Sequence, residues 1–184
     1  ASCFGAMDGV LSVNPIGGTP DYQLNWNDDQ WDGQSQLDSL SADWYILTLT
    51  DANGCERIDS FLVASPDSLF VLSSVMDLLC AEAQDGAINL QINGGTPDYQ
   101  LDWNDDQYDG QSDLTGLSGG SYTVTITDEQ GCTLQDSFQL QSPDSITFDL
   151  LVEDATGPDA SDGSVDVINI LGGAQPYTIT LQGG

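Results

Sequence analysis

One stretch of nineteen residues is used twice, and its spacing fixes what the chain can fold into. Gly17–Ser35 reads GGTPDYQLNWNDDQWDGQS and Gly94–Ser112 reads GGTPDYQLDWNDDQYDGQS, differing only at Asn25/Asp102 and Trp31/Tyr108. The same offset of 77 residues carries Cys3 onto Cys80, Asp8-Gly9 onto Asp85-Gly86, Tyr45 onto Tyr122, Gly54-Cys55 onto Gly131-Cys132 and Ser65-Pro66-Asp67-Ser68 onto Ser142-Pro143-Asp144-Ser145. This is a tandem array of a fixed unit. A third copy begins at Ala160–Leu181, keeps Asp162-Gly163, and reaches Gly172-Gly173 after one inserted residue. The expected units are residues 1–65, without a first strand, residues 66–142, complete, and residues 143–184, truncated. The expectation is therefore a piece of a longer array.

A unit of that size leaves a thin stability margin from its apolar core, and extracellular domains of this size commonly add a covalent staple. Four cysteines are present. Cys3 and Cys55 lie 52 residues apart, as do Cys80 and Cys132, while the third copy has Gly157 at the first cysteine position. Of the three connectivities open to four cysteines, pairing within each unit is the simplest, giving Cys3–Cys55 and Cys80–Cys132. Closing such a loop stabilises a unit by roughly 4 kcal/mol in the chain-entropy model. The rival reading, metal-binding thiolates, wants clustered spacings that the chain does not have, so the expected compartment is oxidising and extracellular.

Within the second unit apolar residues alternate with polar ones, which is strand periodicity. Ser68–Leu72, Ala87–Asn93, the run holding Tyr99, Leu101 and Trp103, the run holding Tyr122, Val124 and Ile126, and the run from Leu134 to Leu140 each expose one face and bury the other. Gly94-Gly95-Thr96-Pro97 cannot continue a central strand and turns the chain. Asp51–Gly54 and Asp128–Gly131 read as hairpin loops whose glycine is left-handed. The fold class is all-β: tandem small antiparallel β-sandwich units, immunoglobulin-like in two details. Tyr45 and Tyr122 sit where a tyrosine corner would tie a late strand to the backbone before it, and Trp26 and Trp103 are placed to pack near a disulfide.

Charge removes whole classes of function. Thirty acidic residues, 26 of them Asp, face Arg57 alone, with no Lys or His, for a net charge of −29. Such a chain repels phosphate backbones and anionic lipid, so neither nucleic acid nor a membrane surface is an expected partner, and no stretch has the length of a spanning helix. Without His or Lys there is no Ser-His-Asp triad, Schiff base or P-loop lysine. A glycosidase would need two carboxylates across a cleft about 5 to 10 Å wide, for which so small a unit has little room. The chain reads as a non-enzyme.

The acidic loops are the remaining candidates. Asp28, Asp29 and Asp32, and their counterparts Asp105, Asp106 and Asp109, offer oxygen ligands of the kind calcium takes, although their spacing is not that of an EF-hand. The plain alternative is an exposed polar hairpin in a chain that is acidic throughout. Trp31 and Tyr108 in the same loops offer faces for a sugar or a partner, or else fold back onto their own sheet, the preferred reading.

Taken in order, these motifs resemble a known family. Cysteine, Asp-Gly, the run Gly17-Gly18-Thr19-Pro20-Asp21-Tyr22, then Trp26, then Asp51-Ala52-Asn53-Gly54-Cys55 and a closing Ser-Pro, repeated at 77 residues, is similar to the SprB-type repeat of very large secreted surface proteins of the Bacteroidetes. The resemblance implies cell-surface adhesion, gliding and export by the type IX system, and it brings no catalytic residues. The leading expectation is a structural and adhesive segment forming an extended stalk or filament, with neighbouring repeats or other copies of the chain as partners. The alternative is a calcium-dependent module binding surface glycans. The closing expectation concerns the joints: Ala64–Ser68 is too short for a free linker, and Pro66 and Pro143 bias Ser65 and Ser142 towards extended geometry. The missing first strand of the first unit would come from the same chain or from another copy.

Overall fold

The computed structural model describes residues 1–180, so Leu181, the end of the third copy, lies outside the described residues. Among the described residues the chain is all-β, with thirteen strands in small antiparallel sheets and two 3₁₀ turns. It divides into two compact units, one made of Ala1–Leu72, Ile92–Leu101 and Thr125–Gln135, the other of Ser73–Gln91, Asp102–Val124 and Asp136–Gly184.

In the first unit, β1 (Gly9–Ser12) pairs with β3 (Gln36–Leu40), and β2 (Gln23–Trp26), β4 (Asp43–Thr50) and β5 (Glu56–Val63) form a second sheet in the order β2-β4-β5. Alternation explains the sandwich: Leu11, Leu24, Trp26, Leu37, Leu40, Tyr45, Leu47 and Val63 make one buried cluster, while the residues between them face water. Gly9 has to be glycine, because a Cβ there would come within 2.6 Å of Val63 Cγ1 and 2.9 Å of Leu40 O. This close approach accounts for the Asp-Gly motif, whose Asp8 accepts the Ser2 N–H at 2.9 Å and so ties down the entry to β1.

The second copy repeats the plan with one strand more. β6 (Phe70–Met76) stands on the free edge of β7 (Gly86–Asn93), which pairs with β9 (Asp113–Leu117), and β8 (Gln100–Trp103), β10 (Gly120–Thr127) and β11 (Thr133–Leu140) form the order β11-β10-β8. While β6 is largely exposed, four of these strands follow the alternation. β3 and β9 escape it, because Leu37/Leu40 and Leu114/Leu117 are buried three apart, across backbone with positive φ at Ser39 and Gly116. Such an irregularity breaks the period of two on which sequence reading depends. The third copy contributes β12 (Thr147–Glu153) paired with β13 (Ser164–Leu171), both largely exposed.

Both tyrosine corners are present. The Tyr45 hydroxyl donates to Ser41 O at 3.2 Å and the Tyr122 hydroxyl to Ser118 O at 3.0 Å. Trp26 and Trp103 are core residues, but their ring partners are Phe61 and Phe138, each at 6.2 Å between centroids.

Candidate functional site at the repeat junction

The six residues Ala64–Leu69 join β5 to β6 and are held rather than free. Gly95 N donates to Asp67 O at 2.8 Å, and a Cβ on Gly94 would overlap Ser68 O. The same clasp recurs one copy later, where Gly173 N donates to Asp144 O at 2.9 Å and a Cβ on Gly172 would overlap Ser145 O. The linker carbonyls thus lie on a turn that only glycine leaves low enough, with φ of +72° at both Gly94 and Gly172.

Each turn is braced from behind by a tyrosine and an aspartate. The Tyr99 hydroxyl donates to Gly94 O at 2.7 Å, and Asp128 accepts Thr96 N at 2.8 Å, Cys132 N at 2.8 Å and Gln130 N at 2.9 Å. In the first copy the Tyr22 hydroxyl donates to Gly17 O at 2.5 Å, and Asp51 accepts Thr19 N at 3.0 Å, with Cys55 N and Asn53 N at 2.9 Å. The third copy keeps the tyrosine, Tyr177 to Gly172 O at 2.6 Å. The hydrogen bonds from Cys55 N and Thr19 N hold the Asp51 carboxyl below the usual range. At Asp128 burial pushes upward, and the Thr96, Cys132 and Gln130 N–H groups outweigh it, so the net shift is again downward.

The cysteines correct the sequence expectation. Cys3 is bonded to Cys132, across 129 residues, and neither Cys3–Cys55 nor Cys80–Cys132 forms; Cys55 and Cys80 are exposed thiols. The reason lies in the linker. Ala1 N donates to Ala64 O at 2.5 Å, with Cys3 beside the joint, and the braced loop Asp128–Gly131 brings Cys132 to the same place. Cys3, Pro66, Ser68, Leu69, Gly95 and Cys132 accordingly border one small cavity. Spacing within a repeat cannot register that two cysteines of different repeats share one linker, and the expected stacking of a tryptophan on an intra-repeat disulfide falls with the pairing.

The acidic loops are 3₁₀ turns, Asp29–Trp31 and Asp106–Tyr108, and several of their carboxylates are engaged in capping them. Asp28 accepts Gln30 N at 3.1 Å and Gln30 Nε2 at 2.6 Å, and Asp32 accepts Trp26 N at 2.7 Å. Asp105 and Asp109 do the same for Gln107 and Trp103. Among the described residues no group of three or more acids or cysteines is placed to hold a metal ion. Trp31 packs against the core cluster of its own sandwich, and Tyr108 meets Tyr122 edge to face at 6.1 Å, so both rings lie back on their own sheets.

The sequence places Tyr22, Tyr99, Asp51 and Asp128 in strand, turn and motif positions but does not show that they brace the Gly-Gly turns; their recurrence at the 77-residue offset is the available signal.

Residues 72–107 match the family model of the SprB repeat. Among solved structures, the amphioxus IgVJ-C2 molecule is similar, at 11% identity, over 77% of this chain and 99% of that one, with a TM-score of 0.37. No curated protein matches the chain. Among the described residues no helix is long and apolar enough to cross a membrane.

Proposed function

We propose that this chain is a non-catalytic repeat segment of a giant secreted surface adhesin of the Bacteroidetes type, its repeats joined end to end as an extended stalk or filament. The observation that carries the reading is the clasp at the joint, built by the same residues at both linkers and reinforced at the first by Cys3–Cys132. A merely tethered array would have no use for a linker whose carbonyls are seated on the next repeat. The match of residues 72–107 to the SprB repeat supports the same class of protein. With strands of four to eight residues rising about 3.3 Å each, one repeat and its linker add roughly 30 to 40 Å.

Small-angle scattering in solution, combined with a glycan array run with and without calcium, tests the proposal. The expected result is a narrow distribution of inter-repeat orientations, unchanged by salt, and no reproducible glycan signal. Calcium-dependent glycan binding that disappears in Trp31→Ala would overturn it in favour of a lectin-like module.

A further inference from the structure

The two copies diverge on one face that their common fold leaves free to vary. On the outer side of the sheet β2-β4-β5, away from buried Tyr45, Leu47 and Val63, stand Trp44, Ile46, Ile58 and Leu62, exposed by 54%, 41%, 65% and 56%. Trp44 lies opposite Leu62 and Ile46 opposite Ser60, with Ile58 in the next pair on this face beside Thr48, so the four make one patch rather than scattered single residues. At the 77-residue offset the second copy has Ser121, Thr123, Gln135 and Gln139. Both sandwiches close on equivalent cores, so folding does not require the apolar set.

Charge diverges on the same face. In a chain with thirty acidic residues, this side of the first copy's sheet carries Glu56 alone, at one end, and Asn25 stands opposite Thr48 where the second copy has Asp102. At the other end, a cavity of about 190 Å³ has Trp31, Trp44, Tyr45, Asp28 and Asp43 in its walls. The second copy replaces three of these, with Tyr108 for Trp31, Ser121 for Trp44 and Gly120 for Asp43. Arg57, the one basic side chain, is engaged elsewhere: it bonds Asp59 at 2.9 Å and lines, with Leu49 and Phe61, a groove beside β1.

We propose that this face of the first copy binds a short basic and apolar segment of another protein. The segment's apolar side chains cover Ile46, Ile58 and Leu62, and a lysine or arginine lies over the Trp44 ring against Asp28 and Asp43. A net charge of −29 repels acidic surfaces, a second copy of this chain included, and draws a basic partner. Size points the same way. Three strands about 4.8 Å apart and at most eight residues long present a face of roughly 400 Å², about half of what each partner of a stable dimer buries, which suits a peptide segment. The second copy, flanked in sequence by the first and the third, keeps Ser121, Gln135, Ser137 and Gln139 exposed, so this is not a face that adjoining repeats bury. The site does not depend on the array reading; it adds partner recognition to one repeat and withholds it from the next.

The experiment uses the whole protein and labelled eight-residue peptides in which Leu alternates with Lys, Glu or Ser, followed by fluorescence anisotropy at 0.15 M salt. The expected result is saturable binding of one Lys peptide per chain, at least tenfold tighter than the Glu or Ser peptide. The decisive variant combines Trp44→Ser, Ile46→Thr, Ile58→Gln and Leu62→Gln. It gives the first copy the residues that the second already carries in the same sheet, so the fold is kept, and it leaves the charge at −29, so unspecific attraction for a cation is kept as well. Affinity for the Lys peptide should fall at least tenfold. Asp43→Asn should weaken the Lys peptide at least threefold and leave the Ser peptide unchanged. Absence of saturable binding, equal binding of the Ser peptide, or an affinity untouched by the fourfold variant would overturn the site. So would a concentration-dependent dimer of the protein alone that the variant abolishes, since the face would then pair with a second copy. None of these outcomes touches the array reading, which fails on glycan binding or on loose inter-repeat angles.

Discussion

The two copies of the nineteen-residue stretch differ at two positions and are built alike, yet they end in different surroundings. Tyr22 and Tyr99 brace the same carbonyl, and Asp51 and Asp128 hold the same loop. Phe138 is 7% exposed and Asp128 4%, whereas Phe61 and Asp51 are only partly covered. Ile126 is fully buried where its counterpart Leu49 lies at the wall of an open groove. Among the described residues the second copy has a strand on the edge of β7 and a linker on its glycines, whereas β1 pairs with β3 alone and no atom lies within 4 Å of a Cβ on Gly17. Local sequence decides the turn and the sandwich, and the strand and linker packed against a repeat decide how dry its end becomes.

The largest effect expected from this contrast is at the cysteines. Cys3→Ser should cost about 4 to 5 kcal/mol in the chain-entropy model for a loop of 129 residues, while Cys80→Ser, at the equivalent position, should change denaturation by less than about 0.5 kcal/mol. Intact mass without reductant should show two hydrogens missing, and alkylation should label Cys55 and Cys80 only. Four labelled thiols, or four missing hydrogens in the monomer, would break the assignment.

Next come the rings facing the two tryptophans. Phe138→Ala should destabilise by about 3 to 5 kcal/mol and Phe61→Ala by roughly half as much, because the second is already partly wet. Equal urea midpoints for the two variants would mean that the groove beside β1 is filled in solution.

The glycines follow. Gly17→Ala should cost about 1 to 2 kcal/mol, the strain of a left-handed alanine, whereas Gly94→Ala must also push the Ser68 carbonyl away and should cost about 2 to 4 kcal/mol. A matched pair of losses would show that the clasp at the linker adds nothing to stability.

The smallest difference concerns acid. The pKa of Asp128 and Asp51 is depressed in the folded state, so their contribution is present above the ordinary carboxylate pKa and is lost as pH falls through the folded value. Below about pH 4 the wild type should lose stability relative to both Asp128→Asn and Asp51→Asn. Relief of self-repulsion in a chain of charge −29 acts in the opposite sense and is shared by all three proteins, so the differences isolate the two carboxylates. Urea midpoints between pH 7 and pH 3 measure this.

Much of the fold was legible because alternation writes one buried face directly into the sequence, as in the run Tyr122, Val124, Ile126. β3 and β9 were not, since a bulge puts their two buried leucines three apart. The candidate site was legible only in outline. Ser65-Pro66-Asp67-Ser68 and Gly94-Gly95 each read as punctuation, but their meeting through Gly95 N and Asp67 O is a tertiary fact that no local pattern carries. Cysteine pairing failed for the same reason: loop length ranks connectivities by entropy, and entropy does not know which two thiols border one linker.

The Cys3–Cys132 bond also sets how the molecule bears load. When the polypeptide is pulled from points before Cys3 and after Cys132, tension passes through the bond between them and bypasses everything between. The chain between them, a sequence separation of 129 worth roughly 430 to 460 Å if drawn out, stays slack until that bond is reduced. A joint clasped in this way yields the length between its two cysteines only to a reductant, so its extension under force depends on the redox state of its surroundings.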